Sequence, residues 1–336
     1  MSCLRGLALA LGALAAVAGP AAAQPASEDT LFDRTTPLSG NLELARRFLS
    51  PLTAAELPGR LTAAGKTIAD QPVDLAAERF RVQVPGAPPP PAGYGVLVFI
   101  PPWEDNHAPD GWGPILADRG LIFVSAARSG NADSPLGRRE PLAVLAAFNV
   151  IQRYKVDPRR VYVAGFSGGA RVALRVALAY PDLFRGALLD AGADPIGGAE
   201  TPLPPRDLFD RFRAGSRLVF VTGARDELHL QQEAASRVSL GRRCVAGVVS
   251  HPVGGLSHEP APPSDLAEAL TALEAPPGPP SPKAQACWTK LTGEVDAALD
   301  AARTRGDLER INHRYGGLAA PRILDLSARL AAPAQE

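Results

Sequence analysis

The chain has 336 residues, 46% of them hydrophobic and 21% charged, with 35 Lys and Arg set against 35 Asp and Glu. Ample apolar content without net charge excludes a chain that is disordered throughout. It also argues against a nucleic-acid partner, which needs clustered Lys and Arg to neutralise phosphates. One α/β domain of ~250 residues, or two smaller ones, accounts for the length.

Residues 1–23 carry Arg5, an apolar run from Leu7 to Ala18, a helix-breaking Gly19-Pro20, and Ala21-Ala22-Ala23. That order predicts a signal peptide cleaved after Ala23, and an exported protein, periplasmic or extracellular. The apolar run falls short of the ~20 residues that span a bilayer, so no membrane anchor is expected after cleavage. Cys3 precedes the apolar run, a position that does not suit lipid attachment. The two cysteines that survive, Cys244 and Cys287, are candidates for a disulfide in an oxidising compartment, the alternative being two separate buried thiols.

Residues 24–75 form an N-terminal segment of helical pattern, with Leu42, Leu44, Ala45, Phe48 and Leu49 at helix-like spacings. Residues 76–275 then alternate. Strands are expected at 79–84, 94–100, 121–126, 161–165, 187–189, 218–222 and 245–249, and helices at 141–154, 170–179, 227–240 and 264–273. Short apolar runs between amphipathic helices point to a parallel sheet covered on both faces. Residues 276–283 are a proline-rich linker that cannot hold a helix, and 284–336 resume as a C-terminal helical extension. The region 190–218 is short and carries Pro195, Pro202, Pro204 and Pro205, which leaves no room for a large lid.

The chemistry gathers around one serine. In Val161-Tyr-Val-Ala-Gly-Phe-Ser-Gly-Gly-Ala-Arg171, the G-x-S-x-G of Gly165 to Gly169 sits between an apolar strand and an apolar-periodic helix. A serine on that sharp turn holds strained torsions and faces the free N–H groups of the helix start. A tight turn without catalysis is the plainer reading of the same residues. No Gly-Lys-Ser/Thr follows, so it is not a phosphate-binding loop.

A serine hydroxyl needs a base, and the base needs a carboxylate that orients it. Asp226 follows a strand and a glycine turn in Leu218-Val-Phe-Val-Thr-Gly-Ala-Arg-Asp226, where an orienting carboxylate belongs. Its rivals are Glu227, better placed to open the next helix, and Asp190, better read as a turn cap. His258 lies in a glycine-rich loop after the last expected strand and can reach back to Ser167. His251, near that strand's end, is the nearest rival. His229 and His313 read as solvated, and His107 as a residue lining the pocket. Gly168 supplies one oxyanion donor. Pro101 and Pro102 have no N–H, so Trp103 is the first residue of its loop able to supply the second. The alternative for Trp103 is a buried ring that only packs.

The segment Val156-Asp-Pro-Arg-Arg-Val-Tyr-Val-Ala-Gly-Phe-Ser-Gly-Gly-Ala, with Tyr180-Pro-Asp-Leu-Phe-Arg-Gly downstream, resembles secreted α/β-hydrolases of the polyhydroxybutyrate-depolymerase-like and feruloyl-esterase-like kind. The likeness runs from about residue 80 to residue 275. It implies an eight-stranded, mostly parallel sheet with helices on both faces, and a Ser–Asp–His triad carried onto Ser167, Asp226 and His258. Pro101-Pro102 stands where relatives have a His-Gly pair, which alters the mouth of the pocket. The expectation is an exported serine carboxylic-ester hydrolase acting on a small or polymeric ester through an acyl-enzyme. A serine peptidase and a non-catalytic binding protein of the same fold are the alternatives. No Cys/His cluster or HExxH pattern suggests a metal, and no cofactor is called for. Neither the substrate nor the oligomeric state is legible.

Overall fold

The structure, a computed structural model, describes residues 26–276, 278 and 280–332. The expected signal peptide lies outside the described residues. Among the described residues, eight strands form one sheet: β1 (Ala26–Leu31), β2 (Arg79–Val84), β3 (Tyr94–Ile100), β4 (Leu121–Ala126), β5 (Val156–Phe166), β6 (Gly186–Asp190), β7 (Arg217–Gly223) and β8 (Val248–Val253). Their order is β1-β2-β4-β3-β5-β6-β7-β8. The first two pairings are antiparallel and the remaining five parallel.

The central strands are apolar on both faces because both faces are covered. In β3, Val96, Val98 and Ile100 join the core on one side while Leu97 and Phe99 join the other. In β5, Val161 and Val163 oppose Tyr162, Ala164 and Phe166 in the same way. Helices α4 (Glu140–Arg153) and α5 (Gly168–Ala179) cover the first face, and α3 (Trp112–Asp118) and α8 (Pro263–Glu274) the second. Fully burying one such side chain contributes roughly 1.5–3 kcal/mol, against ~1 kcal/mol or less for an exposed ion pair. The two apolar layers therefore dominate the stability of the sheet.

The N-terminal segment holds α1 (Asn41–Phe48) and α2 (Pro51–Ala63), but it opens with β1, which helical periodicity did not disclose. Ala-Ser-Glu-Asp-Thr-Leu has no apolar alternation; it is an edge strand, registered on β2 and tied to it by the Asp29–Arg81 ion pair. Two more helices were missed, α3 and α6 (Arg206–Gly215), the latter in the proline-bearing stretch after β6. The last strand was expected at 245–249 and lies at 248–253. Cys244 has φ of 67°, and residues 244–247 turn the chain between α7 (Glu227–Arg242) and the strand.

Helix α9 (Pro282–Ala301) starts inside the expected linker, because a proline at the first helical position needs no N–H partner, and α10 (Arg305–Tyr315) and α11 (Arg322–Ala331) follow. Ser281 caps α9, and Thr304 with Asp307 forms a capping box on α10. Trp288, Leu291, Val295, Leu299, Leu308 and Ile323 join the same apolar cluster as α4 and α5. Asn312 bonds both Ser50 and the Leu52 N–H, bringing α10 against α2. A Cys244–Cys287 disulfide spans Cα atoms 5.7 Å apart and pins α9 to the end of α7. Among the described residues, no helix is long and apolar enough to cross a membrane.

Candidate active site

Ser167 is the N-cap of α5 and has φ of 54° and ψ of −121°. A non-glycine residue there costs of order 1–3 kcal/mol and persists only where its surroundings impose it. They do so here. Its N–H donates to the Asp190 carbonyl at 2.8 Å. A β-carbon at Gly165 would collide with the Gly169 backbone, one at Gly169 with the Ile100 carbonyl, and one at Gly192 with the Ser167 carbonyl. The glycines are thus what let β5 turn into α5 beside β3, and the hydroxyl is raised at the carboxyl edge of the sheet.

From β7, Asp226 caps α7 and is buried. From the loop after β8, His258 points its Nε2 at the Ser167 Oγ, 2.9 Å away, and its Nδ1 at Asp226 Oδ2, 2.7 Å away. Burial pushes the Asp226 carboxyl up, but the hydrogen bonds from His229 and His258 outweigh it and hold the group below the ordinary carboxylate range. The Phe166 ring stacks on His258 at 4.9 Å and backs it from the β5 side.

The other titratable groups of the sequence reading fall elsewhere. Glu227 is the exposed first residue of α7. Asp190 lies under the serine turn, accepts the Ala261 N–H at 2.8 Å, and is buried. His251 lies within β8, not at its end, and bonds Asp265 at 3.0 Å. His313 is exposed on α10. His107 stacks on Trp103 at 5.1 Å.

His229 departs from the solvated helix face expected of it. Its side chain is only 11% exposed, its Nδ1 lies 2.8 Å from Asp226 Oδ1, and its ring stacks on His258 at 4.1 Å and 10°. Next to it Leu228 is 60% exposed. The order inverts ordinary hydropathy, and α7 carries little apolar periodicity, so nothing in the pattern marked the buried face.

Gly168, the first helical residue, has an N–H that precedes any carbonyl of its own helix. The neighbouring loop is held rigidly. Arg139, buried, donates to the Pro101 and Ser129 carbonyls at 2.9 Å each, and the Asn131 N–H donates to the Pro102 carbonyl at 3.0 Å. The Asn131 amide stands so close to Gly168 that a β-carbon there would collide with it. Neither Arg139 nor Asn131 had a sequence signal, since both lie after β4 and reach across to the loop that follows β3. The Trp103 ring lies between Phe99 and Phe166, 6.1 Å from each, with its indole N–H buried and without a hydrogen-bond partner among the described residues.

Asp226, His229 and His258 offer potential ligand atoms within 4.8 Å of one another. The set does not suit a cation. Both imidazoles turn Nδ1 toward the one carboxylate, and an ion between parallel stacked rings would lie off their in-plane lone pairs. A cleft of about 500 Å³, lined by Arg159, Arg160, Arg185, Arg217 and Glu274, opens at the amino ends of β5, β6 and β7, away from Ser167.

No family model and no curated protein matches the sequence. Among solved structures, a putative dipeptidyl aminopeptidase IV from Bacteroides ovatus is 15% identical with a TM-score of 0.48; the match covers 74% of this chain and 35% of that one. S-formylglutathione hydrolase from Staphylococcus aureus is 15% identical with a TM-score of 0.44, covering 58% and 88%. A ferulic acid esterase from the anaerobic fungus Anaeromyces mucronatus is 14% identical with a TM-score of 0.42, covering 59% and 84%. Likeness at this level says nothing of what this chain acts on. The strand order does speak to architecture: a parallel sheet entered by two antiparallel strands, with a serine raised on the turn leaving its fifth strand, is the α/β-hydrolase fold, and that is the fold of this chain.

Proposed function

We propose that the protein is an exported serine hydrolase that cleaves carboxylic esters through an acyl-enzyme. The observation that carries this reading is the continuous chain of hydrogen bonds from Ser167 Oγ to His258 to Asp226, at 2.9 and 2.7 Å, beginning on a strained turn. His258 takes the hydroxyl proton as Ser167 attacks the ester carbonyl, and Asp226 holds the ring in the tautomer with its proton on Nδ1. The tetrahedral oxyanion is met by the N–H groups of Gly168 and Trp103, on a loop that Arg139 holds in place. His258 then protonates the leaving alcohol and activates the water that releases the acid. The preference for esters draws on the sequence resemblance and on the open carboxyl edge around His258, whose side chain is 40% exposed. Export draws on the residue 1–23 pattern and on the disulfide, which needs an oxidising compartment.

The test is an active-site-directed fluorophosphonate together with a panel of short p-nitrophenyl esters and peptide anilides. The expected outcome is labelling and ester hydrolysis by the parent, with Ser167→Ala unlabelled and at least about 10⁴-fold slower. Cleavage of anilides in preference to esters overturns the ester assignment, and a folded parent that takes no label overturns the hydrolase.

A further inference from the structure

We infer that His229 is a positioning residue for the proposed reaction, holding Asp226 by one carboxylate oxygen while His258 holds the other. The inference rests on the hydrolase reading above. A carboxylate at the end of a short side chain turns freely about its last torsion, a broad and soft one. If His258 alone bonded it, that rotation would carry Nδ1 of the base with it and loosen the aim of Nε2 at Ser167. Two ring nitrogens on two different oxygens, at 2.8 and 2.7 Å, remove that freedom. Among the described residues, the buried Asp226 would otherwise leave Oδ1 with only the His229 backbone N–H, at 3.4 Å.

The imidazole does more than helix capping requires. A residue at the third position of α7 serves the cap with its backbone N–H alone, so the second bond from its ring is additional. The ring also stacks at 4.1 Å and 10° on that of His258. Phe166 stacks on His258 as well, at 4.9 Å and 30°. Aromatic faces therefore restrain a ring that becomes a cation when it takes the serine proton, and a π face favours that charge.

Three substitutions separate the contributions. His229→Phe keeps the stacked ring and deletes the N–H. His229→Asn puts an amide N–H where Nδ1 stood and deletes the ring. His229→Ala removes both. With p-nitrophenyl acetate, His229→Phe is expected to lower kcat about 10- to 100-fold with KM unchanged, the loss of one hydrogen bond to a charged group. His229→Asn recovers most of that loss, and His229→Ala is the slowest. Wild-type kcat in the Phe variant, a loss confined to KM, or an Asn variant no better than Phe overturns the inference. A second readout does not depend on turnover: the low-field proton of His258 Nδ1, followed by NMR with ¹⁵N-labelled histidine, should stay sharp in His229→Asn and broaden in His229→Phe. If the folded parent takes no fluorophosphonate label, the hydrolase reading fails while this resonance still decides whether His229 positions His258, and equal lines in both variants overturn that role.

Discussion

Two aspartates at the carboxyl edge of one sheet titrate in opposite directions. At Asp226 the two imidazole hydrogen bonds prevail over burial, so its stabilising share is present above the ordinary carboxylate range and disappears as pH falls through its lowered value. At Asp190 burial prevails over the single bond from the Ala261 N–H and pushes the group from 3.8 up to about 8. The folded protein keeps this proton where the unfolded chain has released it. Its share of stability is whole below the unfolded value, decreases between about 4 and about 8, and is constant above. Asp190→Asn removes the ionisation while retaining an oxygen for Ala261. In urea unfolding, Asp190→Asn is expected to gain on the parent by at least about 1 kcal/mol between pH 5 and pH 8. Parallel dependences in the two proteins would show that Asp190 ionises normally in the fold.

At the scale of elements, the carboxyl end of α7 and the first turns of α9 are joined by Cys244–Cys287, 43 residues apart. On the chain-entropy model, closing a loop of that length stabilises the fold by ~4 kcal/mol. Replacing both cysteines by Ser is therefore expected to lower the unfolding free energy by about that amount, and reductant to do the same to the parent but not to the double variant. A parent indifferent to reductant would show that packing alone holds α9. α7 also explains a limit of sequence reading. Its start was readable because Glu227 suits the opening turn of a helix, and its end came within two residues, whereas its buried face was not readable, since Leu228 looks outward and His229 inward. Hydropathy assigns faces only where apolar residues make the contact, and this contact is made by hydrogen bonds and stacking.

At the scale of the whole molecule, the C-terminal helices and the sheet share one apolar cluster. Trp288 of α9 packs on Phe209 of α6 at 5.8 Å, with the Arg213 guanidinium 4.4 Å from its ring. Arg206 of α6 pairs with Asp296 of α9 at 2.8 Å. A shared core unfolds as a unit. Trp288→Ala is expected to cost about 3–5 kcal/mol and to move the far-UV and Trp fluorescence transitions together. Separate transitions by the two probes would mean that the helices melt away from a sheet that stands without them.

Local order along the chain was enough to determine the alternation of strands and helices, the parallel sheet, and the strand–serine–helix turn. Each depends on periodicity or on glycine chemistry within about ten residues. The polar edge strand β1, the helices α3 and α6, and the shift of β8 depend instead on what lies alongside, and their own residues carry little bias. The meeting of Ser167, Asp226 and His258 was anticipated from chain order, from the loops that carry them and from the family resemblance, but none of these could supply the distances. The second imidazole on Asp226, the Asn131 amide over Gly168 and the Arg139 clamp on Pro101 were decided by tertiary structure alone. Hydrogen bonds and stacking between groups far apart in sequence leave no period in the chain, and only folding brings their partners within reach.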